Sequence, residues 1–198
     1  MATLLARTAT HLIAFGVGAL ALRYMRDRRP DGDEEDEEDS EDEDNMARQL
    51  RLSGHAVRDD YAAAAAADET FKMLLICNME LYKLSSKTGE MKTVKMSAGK
   101  AAAQCSHATL GAYRRGMRLS PNAVRAWLRI GQMKITLKCP SVDELLQLEE
   151  ACAAAGLNTY LIRDAGHTEI EPGSRTVLAV GPAPASAIDP ICGHLKPY

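Results

Sequence analysis

From residue 71 onward, hydrophobic and polar positions fall into blocks whose period switches between strand and helix. The run 72–77 is short and nearly all apolar, which predicts a strand. Ser97 precedes small and apolar residues at helical spacing, so a helix is expected over 98–115 with Ser97 as its N-cap. At 3.6 residues per turn, Lys100, Gln104, His107 and Gly111 lie along one face, and Ala101, Cys105, Ala108 and Ala112 along another. A second helix is predicted over 121–130, with Ser120 as N-cap and Pro121 in the first turn. A strand over 133–139 follows, then a helix over 142–155 capped by Ser141 and stopped by Gly156. Two strands, 158–164 and 176–181, flank a Pro172-Gly173 turn, and a short helix closes the chain. Strands alternating with helices imply one α/β domain. Its sheet is expected to be mixed, mostly parallel and four-stranded, with helices on both faces. The short Pro-Gly connection makes its last two strands an antiparallel pair.

The first 70 residues lack this pattern. Residues 12–22 are 11 consecutive apolar positions, short against the roughly 20 that span a bilayer. Extending back to Leu4 gives 19 and includes Arg7 and His11. Arg23, Arg26, Arg28 and Arg29 follow, and no acid precedes Asp27. Residues 1–30 therefore read as a membrane anchor or a targeting segment. As an anchor, the positive-inside rule would leave the rest of the chain in the cytosol, on an outer membrane for instance. As a presequence, the acid-free, arginine-bearing composition would direct it into the mitochondrion; a secretory signal is the third reading. Gly16-x-Gly18 has no strand before it and is no nucleotide fingerprint.

Charge divides the chain more sharply than its net value of −3 indicates. Twelve of the 14 residues from 31 to 44 are acidic, and a six-alanine tract occupies 62–67, so 31–70 reads as an acidic, Ala-rich disordered linker, transiently helical at the alanines. A sharper reading has the acidic run compete with RNA for a basic face. Residues 71–198 hold 16 Lys/Arg against 10 Asp/Glu, a charge of +6 that suits a polyanionic substrate.

Two positions carry candidate chemistry. A lysine in a first helical turn opposes the helix dipole, so helix stability does not account for Lys100. Beside the free N–H groups of that end, it makes a site for a phosphate or a developing oxyanion; a solvated lysine on an amphipathic helix is the plainer alternative. Asp164 ends a strand, where ligands of open α/β sheets bind, although acids there also serve as turn formers and helix caps. The five cysteines, at 77, 105, 139, 152 and 192, are odd in number and contain no C-x-x-C. That excludes a zinc ribbon, thioredoxin chemistry and a secreted disulfide frame. Cys77 and Cys139 are expected to be small buried hydrophobes. Cys105 and His107 diverge by about 200° on a helix and make no nucleophile pair. No histidine cluster has metal-ligand spacing, so neither metal nor cofactor is implied.

Four motifs then occur in order: Lys95-Met96, Gly99-Lys100, Ala102-Ala103-Gln104 and Ser106-His107-Ala108 in the first; Trp127, Gly131-Gln132 and Lys134 in the second; Asp164-Ala165-Gly166, Thr168, Ile170, Pro172-Gly173-Ser174 and Thr176-Val177-Leu178 in the third; Gly193-His194-Leu195-Lys196 in the last. Together they resemble the type II peptidyl-tRNA hydrolase family across 71–198. The resemblance implies a catalytic domain over those residues that cleaves the ester joining a peptide to tRNA. It implies catalytic roles for Lys100, Asp164, Thr168 and Thr176, and a homodimer. Asp164 would orient or deprotonate water, directly or through a threonine hydroxyl. Lys100 would stabilise the oxyanion or hold the terminal phosphate. Gln104, His107 and His167 are candidate substrate contacts, with a packing role the alternative for His107. The chain departs from the family twice. His167 stands where an arginine is common, and 82–94, with three lysines and one glutamate, reads as an insertion beside the active helix. The rival functional class is a membrane-tethered interaction or signalling protein that retains the fold. A generic RNA-binding module finds little support in a sequence with one Trp and two Phe.

Overall fold

The computed structural model describes residues 55–164 and 170–198. The segment 1–30 and the acidic run lie outside the described residues, as do His167 and Thr168. Among the described residues, no helix is long and apolar enough to cross a membrane. In chain order the elements are α1 (Ala62–Ala66), β1 (Phe71–Asn78), β2 (Leu81–Leu84), β3 (Met91–Val94), α2 (Ala98–Leu119) and α3 (Pro121–Arg129). Next come β4 (Lys134–Cys139), α4 (Val142–Ala154), β5 (Thr159–Arg163), β6 (Arg175–Pro184), α5 (Ala185–Cys192) and β7 (Lys196–Pro197).

The fold class is the expected one, with a different sheet. Five strands lie in the order β5-β6-β1-β4-β7, and only the β1/β4 pair is parallel. The alternation of strands and helices does run β1, β4 and β5 in one direction. What pattern alone does not show is that β6 returns between β5 and β1, antiparallel to both. The fifth strand, β7, is two residues long, too short to carry a period, and pairs with β4 through Leu137 and Lys138.

β1 is buried at every position and β6 at every position after Arg175, so both faces of the sheet are covered at its centre. Helix α2 approaches β5 closely enough that a Cβ on Gly111 would lie 2.1 Å from the Tyr160 ring, so glycine is required there. Buried Asn158 ties the layers by donating from Nδ2 to Ala112 O at 2.9 Å and to Gly181 O at 2.8 Å.

Residues 82–94, expected as an inserted loop, lie in and around a two-stranded hairpin. β2 and β3 pair antiparallel, with Leu81 opposite Val94 and Lys83 opposite Lys92. Leu81 is buried and seats the base of the hairpin on the core.

The end of the expected linker also packs on the domain. Tyr61 is buried edge-on against Phe71, with ring centroids 6.3 Å apart. Asp59 accepts from the N–H groups of Asn122, at 2.9 Å, and Ala123, at 3.1 Å, and so caps α3 from a distant part of the chain. Ser120 occupies the N-cap position but its side chain makes no cap hydrogen bond. Asp59 supplies the acceptor that helix termini need.

Candidate active site

The N-terminus of α2 is built as its sequence predicts. Ser97 is extended and its Oγ accepts from the Lys100 N–H at 3.2 Å, which starts the helix and turns Lys100 into its first turn. With no acid in that turn to offset it, the lysine ammonium finds its partner across the domain. Lys100 Nζ contacts Asp164 Oδ2, with the lysine side chain 13% exposed and the aspartate 3%.

Asp164 follows β5 and is fixed by its backbone. Its N–H donates to Ser174 O at 2.9 Å, and its carbonyl accepts from the Gly173 N–H at 2.7 Å. Gly173 has φ of 76°, a left-handed conformation that suits glycine in the Pro172-Gly173 turn. The turn thereby closes a loop whose two ends meet at the aspartate.

Gln104 joins the remaining pieces. Its Nε2 donates to Asp164 Oδ2 at 2.9 Å, and its Oε1 accepts from Thr176 Oγ1 at 2.5 Å. Thr176, the second residue of β6, is wholly buried. Because a carboxylate only accepts hydrogen bonds, the amide must turn its NH₂ toward Asp164 and its oxygen toward the threonine. The threonine proton is then committed to Gln104. An ammonium and an amide thus hold one carboxylate in a nearly dry setting, where electrostatic interactions are stronger than in water.

Lys100, Asp164, Thr176 and Gln104 are therefore brought together; His107 is not. Its side chain is exposed, and among the described residues it has no hydrogen bond to Asp164, Gln104 or Thr176. The two helix faces drawn from periodicity merge in the structure. Ala101, Gln104, Ala108, Gly111 and Ala112 are all buried, because the helix packs across β6, β5 and β1.

Asn78 borders the candidate site, and pattern reading passes over it. It is buried at the end of β1, and its Nδ2 donates to Arg175 O at 2.9 Å, beside Thr176. A polar residue ending an otherwise apolar strand is the available signal. The second motif proves architectural. Trp127 Nε1 donates to Met133 O at 2.9 Å, Gly131 has φ of 90°, and Lys134 Nζ lies 4.8 Å from the Trp127 ring centroid. Cys77 and Cys139 are buried as expected, and burial pushes the Cys139 thiol up to about 11, which suits a packing residue. No group of three metal-ligating side chains occurs among the described residues.

Residues 71–198 match the family described as peptidyl-tRNA hydrolase PTH2. The chain is 44% identical over 128 residues to "Peptidyl-tRNA hydrolase 2, mitochondrial" of Mus musculus, covering 65% of this chain and 64% of the mouse protein. It is 38% identical over 144 residues to the Homo sapiens protein of the same name, covering 73% of each. To "Peptidyl-tRNA hydrolase" of Methanopyrus kandleri it is 48% identical over 102 residues, 52% of this chain and 87% of the archaeal one.

Proposed function

Because the chain belongs to the peptidyl-tRNA hydrolase PTH2 family, we propose that it hydrolyses the ester bond of peptidyl-tRNA, releasing the peptide and a reusable tRNA. The supporting observation is the buried Lys100–Asp164–Gln104–Thr176 network at the N-terminus of α2. Ester hydrolysis needs an oriented water, a proton acceptor, and positive charge or hydrogen-bond donors where the oxyanion develops. Asp164 takes the first two tasks. Its carboxylate is held by Gln104, so it presents a fixed acceptor to water. Lys100 supplies the charge, next to the helix N-terminus that also favours an anion. Thr176 is a positioning residue, since its hydroxyl proton is already given to Gln104. Thr168 and His167 keep their sequence-based roles as catalytic and substrate-contacting residues.

Names of the mouse, bovine and human relatives include "mitochondrial", and the acid-free N-terminal 26 residues agree with such targeting. We therefore place the chain in the mitochondrion or the cytoplasm, working on peptidyl-tRNA and assembled as a homodimer. Protease protection in isolated mitochondria separates a surface anchor from import.

Hydrolysis of an N-blocked aminoacyl-tRNA tests the function. Asp164→Asn keeps the shape and removes the charge and the proton acceptor, so turnover should fall with little change in tRNA binding. Lys100→Ala should lower turnover as well, and any loss of binding measures its hold on phosphate. Wild-type activity in both variants would place the chemistry elsewhere; an inactive wild type would favour a tethered interaction protein.

A further inference from the structure

Two sulfurs meet beside the candidate site and take no part in its chemistry. Cys77 on β1 and Cys105 on α2 hold their Sγ atoms 3.7 Å apart. Cys105 follows Gln104, which braces Asp164 and accepts from Thr176. Cys77 stands opposite Val177, the residue after Thr176, in the β1/β6 ladder. The sulfur pair therefore joins α2 to the sheet one step along from the place where Gln104 joins them. The two thiols differ in access. Cys77 is wholly buried, whereas Cys105 is partly exposed and lines a cavity of about 570 Å³ together with Leu75, Tyr113 and Trp127.

A second pair, Cys152 and Cys192, has the same separation, but both of its members are wholly buried. An oxidant arriving from solution therefore meets Cys105 first. Between two hydrogen-bonded thiols, the buried one keeps its proton, because burial disfavours the charged form. The bond from Cys77 holds the Cys105 thiol below its ordinary value, against the opposing effect of burial. The same bond, together with burial, pushes the Cys77 thiol up. An accessible sulfur that ionises readily, with a second thiol in contact to resolve it, is the arrangement that peroxide oxidation selects.

We propose that Cys77 and Cys105 form a disulfide when the protein meets hydrogen peroxide, and that this bond gates the active site. The Cys105 thiolate attacks one peroxide oxygen, the O–O bond breaks and hydroxide leaves, so the sulfur becomes a sulfenic acid. The Cys77 sulfur then attacks Cys105 Sγ, the S–O bond breaks, and the hydroxyl departs with the Cys77 proton as water. Overall, two thiols give up two electrons and two protons, and one peroxide becomes two waters. A disulfide holds its sulfurs about 2.05 Å apart, so closing it draws the pair together by about 1.7 Å. The pull acts on the turn of α2 that bears Gln104, and a shift of about 1 Å in a catalytic constellation costs up to about 100-fold in rate. The gating rests on the peptidyl-tRNA reading of the site; the bond itself does not.

The test treats the full chain with hydrogen peroxide, stops the reaction with catalase and blocks the remaining thiols with N-ethylmaleimide in denaturant. Tryptic digestion without reductant follows. Mass spectrometry should find peptides 73–83 and 101–114 joined, two hydrogens lighter than their sum. Hydrolysis of N-acetylated aminoacyl-tRNA should fall about 10- to 100-fold and return on addition of dithiothreitol. Cys105→Ser should keep its untreated turnover and lose none of it to peroxide. Cys77→Ala should form no link and leave Cys105 labelled by dimedone, which marks a sulfenic acid. The absence of the joined peptide overturns the proposal, as does a Cys152–Cys192 link in its place or an equal loss of turnover in Cys105→Ser. A joined peptide with undiminished turnover overturns the gating. A wild type that hydrolyses nothing refutes the proposed reaction, and the joined peptide, read by mass, then decides the bond alone.

Discussion

Gln104 hydrogen-bonds both Asp164 and Thr176, and replacing it with methionine tests whether the site behaves as a unit. Gln104→Met keeps the length and removes two hydrogen bonds without opening a large void. One bond goes to a carboxylate, at 2.9 Å, and is worth about 1.5–3 kcal/mol; the other joins neutral groups, at 2.5 Å, and is worth about 0.5–1.5 kcal/mol. Lys100 still holds the aspartate, so the net cost should be about 2–4 kcal/mol. With a urea m-value near 2 kcal/mol/M, the unfolding midpoint drops by about 1–2 M. The sharper test is a cycle with Thr176→Val. In the wild type, valine leaves the Gln104 oxygen buried without its donor, a loss of about 1–3 kcal/mol. In the methionine background the buried Thr176 hydroxyl has already lost Gln104 and keeps only a 3.5 Å approach to Ile162 O. Removing it there should be neutral or stabilising. The coupling is therefore expected to exceed about 1 kcal/mol. If Thr176→Val cost the same in both backgrounds, to within about 0.5 kcal/mol, the network would be a set of independent contacts and the reasoning would fail. Turnover is expected to fall with Gln104→Met, since Asp164 loses a fixed donor.

Asp59→Ala should destabilise the domain by about 1 kcal/mol through the lost cap on α3, read as a urea midpoint shift at constant m. A chain starting at residue 71 loses that cap and Tyr61 together, so it should unfold at lower denaturant than one starting at residue 55; equal midpoints would refute the packing role of 55–70. Hydrolysis should weaken steadily as salt is raised, because tRNA binding to a domain of charge +6 releases counterions; a rate independent of ionic strength argues against a basic grip. EDTA should leave the rate unchanged, and a loss that added metal restores would overturn a reaction run by Lys100 and Asp164 alone.

The starts of the helices and the positions of the longer strands were legible because each is decided locally. Ser97 and Ser141 cap the helices they were expected to cap, accepting from Lys100 and Glu144 N–H groups. Strand order was not legible, because nothing local to β6 says that it inserts between β5 and β1. Asp59 illustrates the same limit. It lies beside an alanine tract that reads as linker, and its partner helix begins 62 residues later, at Pro121. Gln104 was recognised as belonging to the active face, but as a substrate contact. Its role as a brace follows only from the meeting of β5 and β6. Residues 82–94 read as a lysine-bearing insertion beside the active helix and not as a hairpin, because Lys83 and Lys92 obscure its alternation; their pairing becomes visible only once the register is known.

The position of β6 has a consequence for how the protein comes into being. Its residues, Arg175–Pro184, follow β1, β4 and β5 in the chain, yet they fill the middle of the sheet. Until they emerge, β1 has one unpaired edge, β5 has no neighbour, and Thr176 is absent from the site. Pairings of such long sequence separation form late and slowly. A chain stalled before residue 175 therefore holds Lys100 and Asp164 without the strand that brings them together. Copies truncated before residue 175 leave that edge of β1 unpaired and expose it to one another.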